Sequence, residues 1–556
     1  MLKKALIPFL IAVNLIFLIF TRFLYLREFP VGILNDEVDV SLSAKNYFNN
    51  GVDLSGVSFP KSLFITNTWA GLSGLPSYLL APFYGPLNLS PLVIRIPYVI
   101  LSIFIGFLIS LIVYEISKNK KLAVISIFVS LINPWLYFYS RQPTEAPFAL
   151  FFVLIGVYLY VKFRGLRKIY SLPFFLFSFY SYFGAKPVIP ILVILLPFVY
   201  GINLKNKMKW LNIFLIIFSI LMTVTYFSVS IRLNGSTLSQ RANQVTFLNF
   251  QKYADQVNQN RRVSVDFPFK ELFYNKFTIF SKITTSKFFG QFSPEYLFIS
   301  GDSVVPFSDH GVLYVLDCLI IIFSLYAFAI SKEKSGKTLL ILSLLFLIAG
   351  SVGSSISVVG NQFVFRSFLH IPAYIILISY GICKLNKMKL IIPLYLFFYI
   401  NFLVFFLFRY SIDQQDNHFI SERVLSNYLI RLNKTDKDII VIDPEPDRTY
   451  YQYIFYSGDN LNTESKIEFL EICPEKHTEE VLIINSKLNC DYKDSEYIVI
   501  QSQKDAGVRY KIYNDSLCNI SDLTSYRRDH KITDYNIEGL NDKIFCNRWI
   551  QNGKTN

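Results

Sequence analysis

The run LIIPLYLFFYINFLVFFLF (390–408) carries no charged residue. A bilayer core about 30 Å thick is crossed by roughly 20 apolar residues in a helix, so this run with its flanks reads as a membrane span. Lys384, Lys387 and Lys389 precede it, and the chain turns polar directly after it. A similar run, ALIPFLIAVNLIFLIF (5–20), opens the chain behind Lys3 and Lys4. It lacks a small-residue cleavage site and leads into further apolar stretches, so a retained first helix is expected rather than a signal peptide.

Working outward gives eleven candidate spans: 5–26, 96–116, 122–139, 146–161, 170–183, 187–203, 211–230, 311–330, 338–352, 367–383 and 390–408. Residues 74–87 form a further, partly embedded helix candidate. The composition agrees. Of 556 residues, 53% are hydrophobic and 17% are charged, where a soluble chain carries about 25% charged. Lysine- and arginine-rich turns at 118–121, 162–168, 205–209, 332–337 and 384–389 join Lys3 and Lys4 on one side. The positive-inside rule makes that side cytoplasmic. The expected architecture is therefore a polytopic α-helical domain, 1–410, with long extracytoplasmic segments at 27–95 and 231–310. Residues 411–556 follow as a soluble extracytoplasmic domain.

The charge divides the same way. Residues 411–556 hold 18 Lys and Arg against 25 Asp and Glu, and the first 410 hold 36 against 15. The net charge of +14 thus belongs to the membrane half, and no soluble basic stripe suits a nucleic acid. In the tail, DIIVID (438–443), VLIIN (481–485) and EYIVIQ (496–501) read as strands, and SERVLSNYLIRL (421–432) as an amphipathic helix. A small α/β domain is expected. Its four cysteines permit two disulfides in three connectivities, the sequence neighbours Cys473–Cys490 and Cys518–Cys546 being favoured over other pairings. Four reduced buried thiols are the alternative.

Chemistry-bearing residues gather on the extracytoplasmic side. Asp36 and Glu37, about ten residues past the first span, offer a general base or a cation site. Arg95, Arg141, Lys186 and Arg366 sit at span ends against the positive-inside bias, and a phosphate headgroup would account for them. Interfacial snorkelling, or an Arg141–Glu145 ion pair, is the plainer account. Tyr182, Asp302 and His310 are further site candidates in the same extracytoplasmic segments. No Walker loop, GxGxxG, HExxH or nucleophile elbow occurs. A transporter or flippase is the rival reading; its best support is Asp317, embedded in the 311–330 span.

An acidic pair after the first helix, an Arg-Ile-Pro entry at 95–97, and PWLYFYSRQPTEAPFALFF (134–152) together resemble the GT-C superfamily of integral membrane glycosyltransferases. YSYFGAKPVIP, FSPEYLFISGD with SDHGVLYVLD, and FRSFLHIPAYIILISYGI continue the likeness in order over 1–410. The closest branch holds protein O-mannosyltransferases and the lipid A aminoarabinose transferase, with bacterial members. The resemblance implies a GT-C fold in a bacterial inner or plasma membrane and a polyprenyl-phosphate-linked sugar donor. It implies Asp36 as the catalytic carboxylate and Glu37 as its supporting acid. Arg141, Lys186 and Arg366 would hold the donor phosphate. A hydroxyl of a lipid, glycan or protein would be the acceptor, with inversion at the anomeric centre. No cofactor is implied, though a divalent cation at Asp36 and Glu37 stays open. SDHG stands where relatives carry a PGHG-like turn, and SFPKSLFITNTWAGLSG (58–74) is unlike their acceptor-side loops.

Overall fold

The computed structural model describes residues 13–64, 72–200, 206–245, 253–302, 310–357, 362–385, 387–434, 438–458, 466–473, 480–488, 490, 496–523 and 530–553. Lys3, Lys4, Lys205 and Asp309 lie outside the described residues.

Each of the eleven apolar stretches contains helix among the described residues. Among the described residues four helices are long and apolar enough to cross a membrane: Pro91–Ser117, Trp210–Leu233, Lys334–Ser355 and Leu390–Tyr410. Ala146–Lys162, Ala185–Val199, Val315–Ile330 and His370–Leu385 are apolar but shorter. The chain is an integral membrane protein. Pro91–Ser117 shows how such a helix starts and ends. Ser90 caps it by accepting from the Val93 N–H (3.4 Å), Pro91 occupies the first turn, and the helix stops before the lysine-rich turn. The expected span 122–139 is instead two helices, Lys120–Ile132 and Pro134–Tyr139. Asn133 breaks it: its backbone is extended, and its side chain accepts from the Leu136 N–H (2.9 Å) to start the second helix.

Three of the lysine-rich turns, 118–121, 332–337 and 384–389, come together at one end. Lys384 pairs with Glu333 at 3.0 Å, and Lys121 and Lys384 both lie within electrostatic reach of Cys383. The other end holds the candidate site. There the segment after the first helix is no open loop. Residues Asn35–Asn50 form a helix packed on a second one, Gly74–Tyr84, and Phe59 stacks on Tyr78 at 4.1 Å.

The tail holds one six-stranded sheet: β1 (Ile439–Ile442), β2 (Ile467–Leu470), β3 (Val481–Asn485), β4 (Tyr497–Gln501), β5 (Val508–Tyr513) and β6 (Gln551–Asn552). The strand order is β2-β1-β3-β5-β4-β6. β1 pairs in parallel with β2 and β3, and the remaining pairings are antiparallel. The three strands read from sequence are β1, β3 and β4, and the helix is Ile420–Leu432. Both sequence-neighbour disulfides, Cys473–Cys490 and Cys518–Cys546, are formed.

The tail does not stand apart. It grips residues 29–35, the stretch leading into the helix Asn35–Asn50. Gln452 donates to the Ile33 carbonyl (3.2 Å) and to Asn35 Oδ1 (3.1 Å). Arg423 donates to the Val31 carbonyl while bound to Glu538 at 2.8 Å. The rings of Phe29 and Tyr535 sit 5.3 Å apart. At Gly32 a Cβ would fall 1.6 Å from the His418 carbonyl oxygen, so any side chain there would force the two segments apart.

Candidate active site

Asp36 and Glu37 occupy the first turn of the helix Asn35–Asn50. Successive residues of a helix point about 100° apart, and here that separates their fates. Asp36 is exposed; Glu37 is fully enclosed, and among the described residues its carboxyl oxygens have no hydrogen-bond partner. Burial pushes the Glu37 carboxyl up to about 8; Arg95 pulls it down and Asp36 adds to the rise. At neutral pH Glu37 is therefore mostly protonated. That corrects the expectation of a supporting acid at the substrate. A cation shared by both carboxylates would have to draw Glu37 out of its enclosure.

Asp36 acts electrostatically on Tyr182, and the Tyr182 side chain is hydrogen-bonded with Arg366. Glu145 also lies within reach of Tyr182. Four sequence candidates thus converge. The segment holding Arg366 is fixed on several sides. The Val364 N–H donates to Asp302, and the Val364 carbonyl accepts from the Tyr139 hydroxyl (2.8 Å). Ser367 donates to Gln291 Oε1 (2.6 Å). Gly353, where a Cβ would meet the Arg366 carbonyl oxygen at 2.9 Å, lets the helix Lys334–Ser355 close on this segment.

Lys186 stands at the start of the helix Ala185–Leu195, 6% exposed. Its ammonium donates to Ser73 Oγ (3.3 Å) and lies 4.8 Å from the Tyr226 ring centroid and 5.1 Å from that of Phe183. The Ser73 N–H donates to Glu145. One serine of the first extracytoplasmic segment therefore links Lys186 and Glu145. Sequence reading singled out neither Ser73 nor Lys287. Lys287 is 8% exposed, donates to the Ser357 carbonyl (2.5 Å) and lies within electrostatic reach of Arg366. Burial, and then Arg366, hold its ammonium below the ordinary lysine value. The signal for Lys287 was its place at the head of KFFGQFSPEY, another cation off the lysine-rich side.

Arg95 and Arg141 differ. Arg95 donates to the carbonyls of Leu26 (3.0 Å), Pro30 (2.9 Å) and Gly32 (2.8 Å). Arg141 donates to those of Phe29 (2.9 Å), Tyr25 and Arg22 (3.3 Å each) and Leu24, and to the Tyr137 hydroxyl (3.0 Å). Both are fully buried. As folded, the terminal nitrogens of Arg141, expected at the donor phosphate, are bonded to main-chain carbonyls and the Tyr137 hydroxyl. Arg22, unremarked in the sequence, makes a third such clamp, reaching the carbonyls of Ser130, Leu131 and Leu136 at 3.0–3.1 Å.

The remaining candidates are structural. Asp302 anchors Val364 as above. His310 packs against Phe402 (5.0 Å) and Phe405 (6.1 Å), and its Nδ1 meets the Gly311 carbonyl at 2.6 Å. Asp317 accepts from the Tyr314 N–H (2.9 Å) and the Tyr395 hydroxyl (2.5 Å), one on each oxygen, which suits a structural cap more than a transport site. Among the described residues no three His, Cys, Asp or Glu side chains form a metal-holding group.

No family model and no curated protein matches the chain. Solved structures do. ArnT from Cupriavidus metallidurans in the apo state matches with a TM-score of 0.52 at 10% identity, over 92% of this chain and 98% of that one. The fold is that of the GT-C glycosyltransferases. ArnT bound to undecaprenyl phosphate matches at a TM-score of 0.46 and 12% identity, over 92% and 98% of the two chains. The archaeal oligosaccharyltransferase AglB from Archaeoglobus fulgidus, in complex with an inhibitory peptide and a dolichol-phosphate, gives 0.44 at 11%, over 92% and 74%. At such identities the GT-C fold is what is shared; the residues that act must be argued from this chain.

Proposed function

We propose that the protein is a glycosyltransferase that moves a sugar from a polyprenyl-phosphate-linked donor to a hydroxyl acceptor at the extracytoplasmic end of the helical domain. The observation that supports this reading is that exposed Asp36 and buried Arg366 both lie within electrostatic reach of Tyr182, with Lys287 in reach of Arg366 and Lys186 joined through Ser73 to Glu145. A carboxylate able to take a proton and cations able to hold a phosphate would then serve one site on a GT-C fold. ArnT, which shares that fold in its apo state, has also been solved bound to undecaprenyl phosphate.

Asp36 takes the proton of the acceptor hydroxyl as its oxygen attacks the anomeric carbon. The bond from that carbon to the phosphate oxygen breaks, and polyprenyl phosphate leaves with the electron pair. Arg366, Lys186 and Lys287 stabilise the negative charge that develops on it. Direct displacement inverts the anomeric centre. The two disulfides favour an oxidising, extracytoplasmic compartment for the tail, and its grip on residues 29–35 supports a site on that same side.

The test is Asp36→Asn in the full chain, reconstituted with a polyprenyl-phosphate sugar and a panel of hydroxyl acceptors. Transfer is expected to fall by about 10²–10⁴-fold, as for loss of a general base, with donor binding nearly unchanged. Normal transfer by folded Asp36→Asn would overturn the assignment.

A further inference from the structure

Residues 261–277 run from the end of the helix Ala254–Val263 through a short helix, Lys270–Phe273, into the helix Lys276–Gly290, and turn their apolar side chains outward. Val263, Val265, Phe269, Leu272, Phe273 and Phe277 are between 61% and 85% exposed. Two of its long cationic side chains meanwhile fold back onto the segment's own backbone, while Arg262, Asp266 and Glu271 stay exposed. Arg261 Nε donates to the Tyr274 carbonyl (2.8 Å), and Lys270 Nζ to the Ser264 carbonyl (3.1 Å). Phe267 closes the centre, its ring 6.0 Å from Phe273 and 6.3 Å from Tyr274. A water-facing loop does the reverse, because clustered apolar side chains are costly to hydrate and charged ones are not. Spending donors on main-chain carbonyls while presenting aromatics outward is what a low-dielectric surrounding favours.

The position agrees. The segment lies between the membrane helices Trp210–Leu233 and Val315–Ile330. It leads into the helix Lys276–Gly290, whose Lys287 is bonded to Ser357 just past the helix Lys334–Ser355. The loop is therefore tethered to membrane helices at the candidate-site end. Its charge agrees too: Arg261, Arg262, Lys270 and Lys276 outnumber Asp266 and Glu271. Apolar side chains with Lys and Arg beside them are the composition of segments that lie in the headgroup layer.

We infer that residues 261–277 are an interfacial strap whose exposed aromatic and aliphatic side chains insert among the phospholipids of the leaflet on the candidate-site side. This stands on the membrane helices and the loop's own geometry, independently of the proposed reaction.

The experiment is nitroxide labelling of the full chain in vesicles of phosphatidylethanolamine and phosphatidylglycerol. Cys318→Ser and Cys383→Ser remove the two free thiols. Labels go at Phe269→Cys and, separately, at Phe277→Cys, so that a failure to fold at one position leaves the other. Glu468→Cys, exposed in the tail, is the water reference; Phe397→Cys, exposed on the Leu390–Tyr410 helix, is the lipid reference. Collision with dissolved oxygen is expected to exceed collision with a water-soluble nickel chelate at 269 and 277, as it does at 397. Nickel collision matching the 468 reference would overturn the inference. Shielding from both reagents would also overturn it, assigning the patch to a protein partner or a second copy.

Discussion

Two sets of buried cations stand on the same face of this protein, and burial does not distinguish them. Arg22, Arg95 and Arg141 are fully enclosed; Lys186, Lys287 and Arg366 are nearly so. Their partners differ. The first three spend their guanidinium nitrogens largely on main-chain carbonyls between residues 22 and 32 and between 130 and 136. They staple the entry to the helix that bears Asp36. Of the second three, Lys186 donates to Ser73, Arg366 reaches Tyr182, and Lys287, bonded to the Ser357 carbonyl, lies within electrostatic reach of Arg366. A cation held off the lysine-rich side of a membrane protein has two separate physical reasons: unpaired carbonyls to satisfy, or an anion to receive.

The sharpest way to break this division is Arg141→Ala. Each carbonyl stranded by the change costs about 1–3 kcal/mol, so a loss of roughly 3 kcal/mol or more is expected. It should appear as a lower unfolding midpoint of the purified protein in detergent. A stable Arg141→Ala variant that has lost only donor binding would merge the two sets.

Glu37, beside the clamp Arg95, should report through pH. Its folded value of about 8 lies above its ordinary 4.5. Between those values the unfolded chain releases the proton that the folded chain keeps, so stability falls as pH rises through that window. Glu37→Gln removes the titration. It is expected to flatten the pH–stability curve and to raise the unfolding midpoint near pH 8 by a stability gain of about 4 kcal/mol. An unchanged curve would mean that Glu37 is solvated or paired as a charge.

Arg366→Ala should act in the opposite sense, sparing the fold more than Arg141→Ala does. Losing one charge-assisted contact of about 2 kcal/mol weakens polyprenyl-phosphate binding by about 30-fold. Titration of the lipid into the reconstituted protein reads it, and Lys186→Ala should match. Wild-type affinity in both variants would place the phosphate elsewhere.

Much of this was legible in the sequence, for identifiable reasons. Uncharged runs such as 390–408 become helices because a bilayer leaves no other way to satisfy backbone polar groups. Strands β1, β3 and β4 were visible as short Ile- and Val-rich runs buried in the sheet. β2, β5 and β6, with their mixed polar composition, were not. The helix Asn35–Asn50 was hidden because NDEVDVSLSAKNYFNN lacks a clear apolar stripe and buries both polar and apolar residues. The roles of Arg95 and Arg141 were illegible for a different reason. Their partners are carbonyls, which every residue carries, so no residue type announces them. Asp36 and Glu37 read as a pair because adjacency in sequence says nothing about which side of a helix turns inward.

The division of cations is tested most directly by the position of phosphorus in a density map of the full chain with polyprenyl phosphate bound. The account predicts phosphate oxygens about 3 Å from the Lys186 ammonium and the Arg366 guanidinium, with Arg141 still bonded to the carbonyls of Phe29 and Arg22. A phosphate seated on Arg141, with Lys186 and Arg366 untouched, would contradict it.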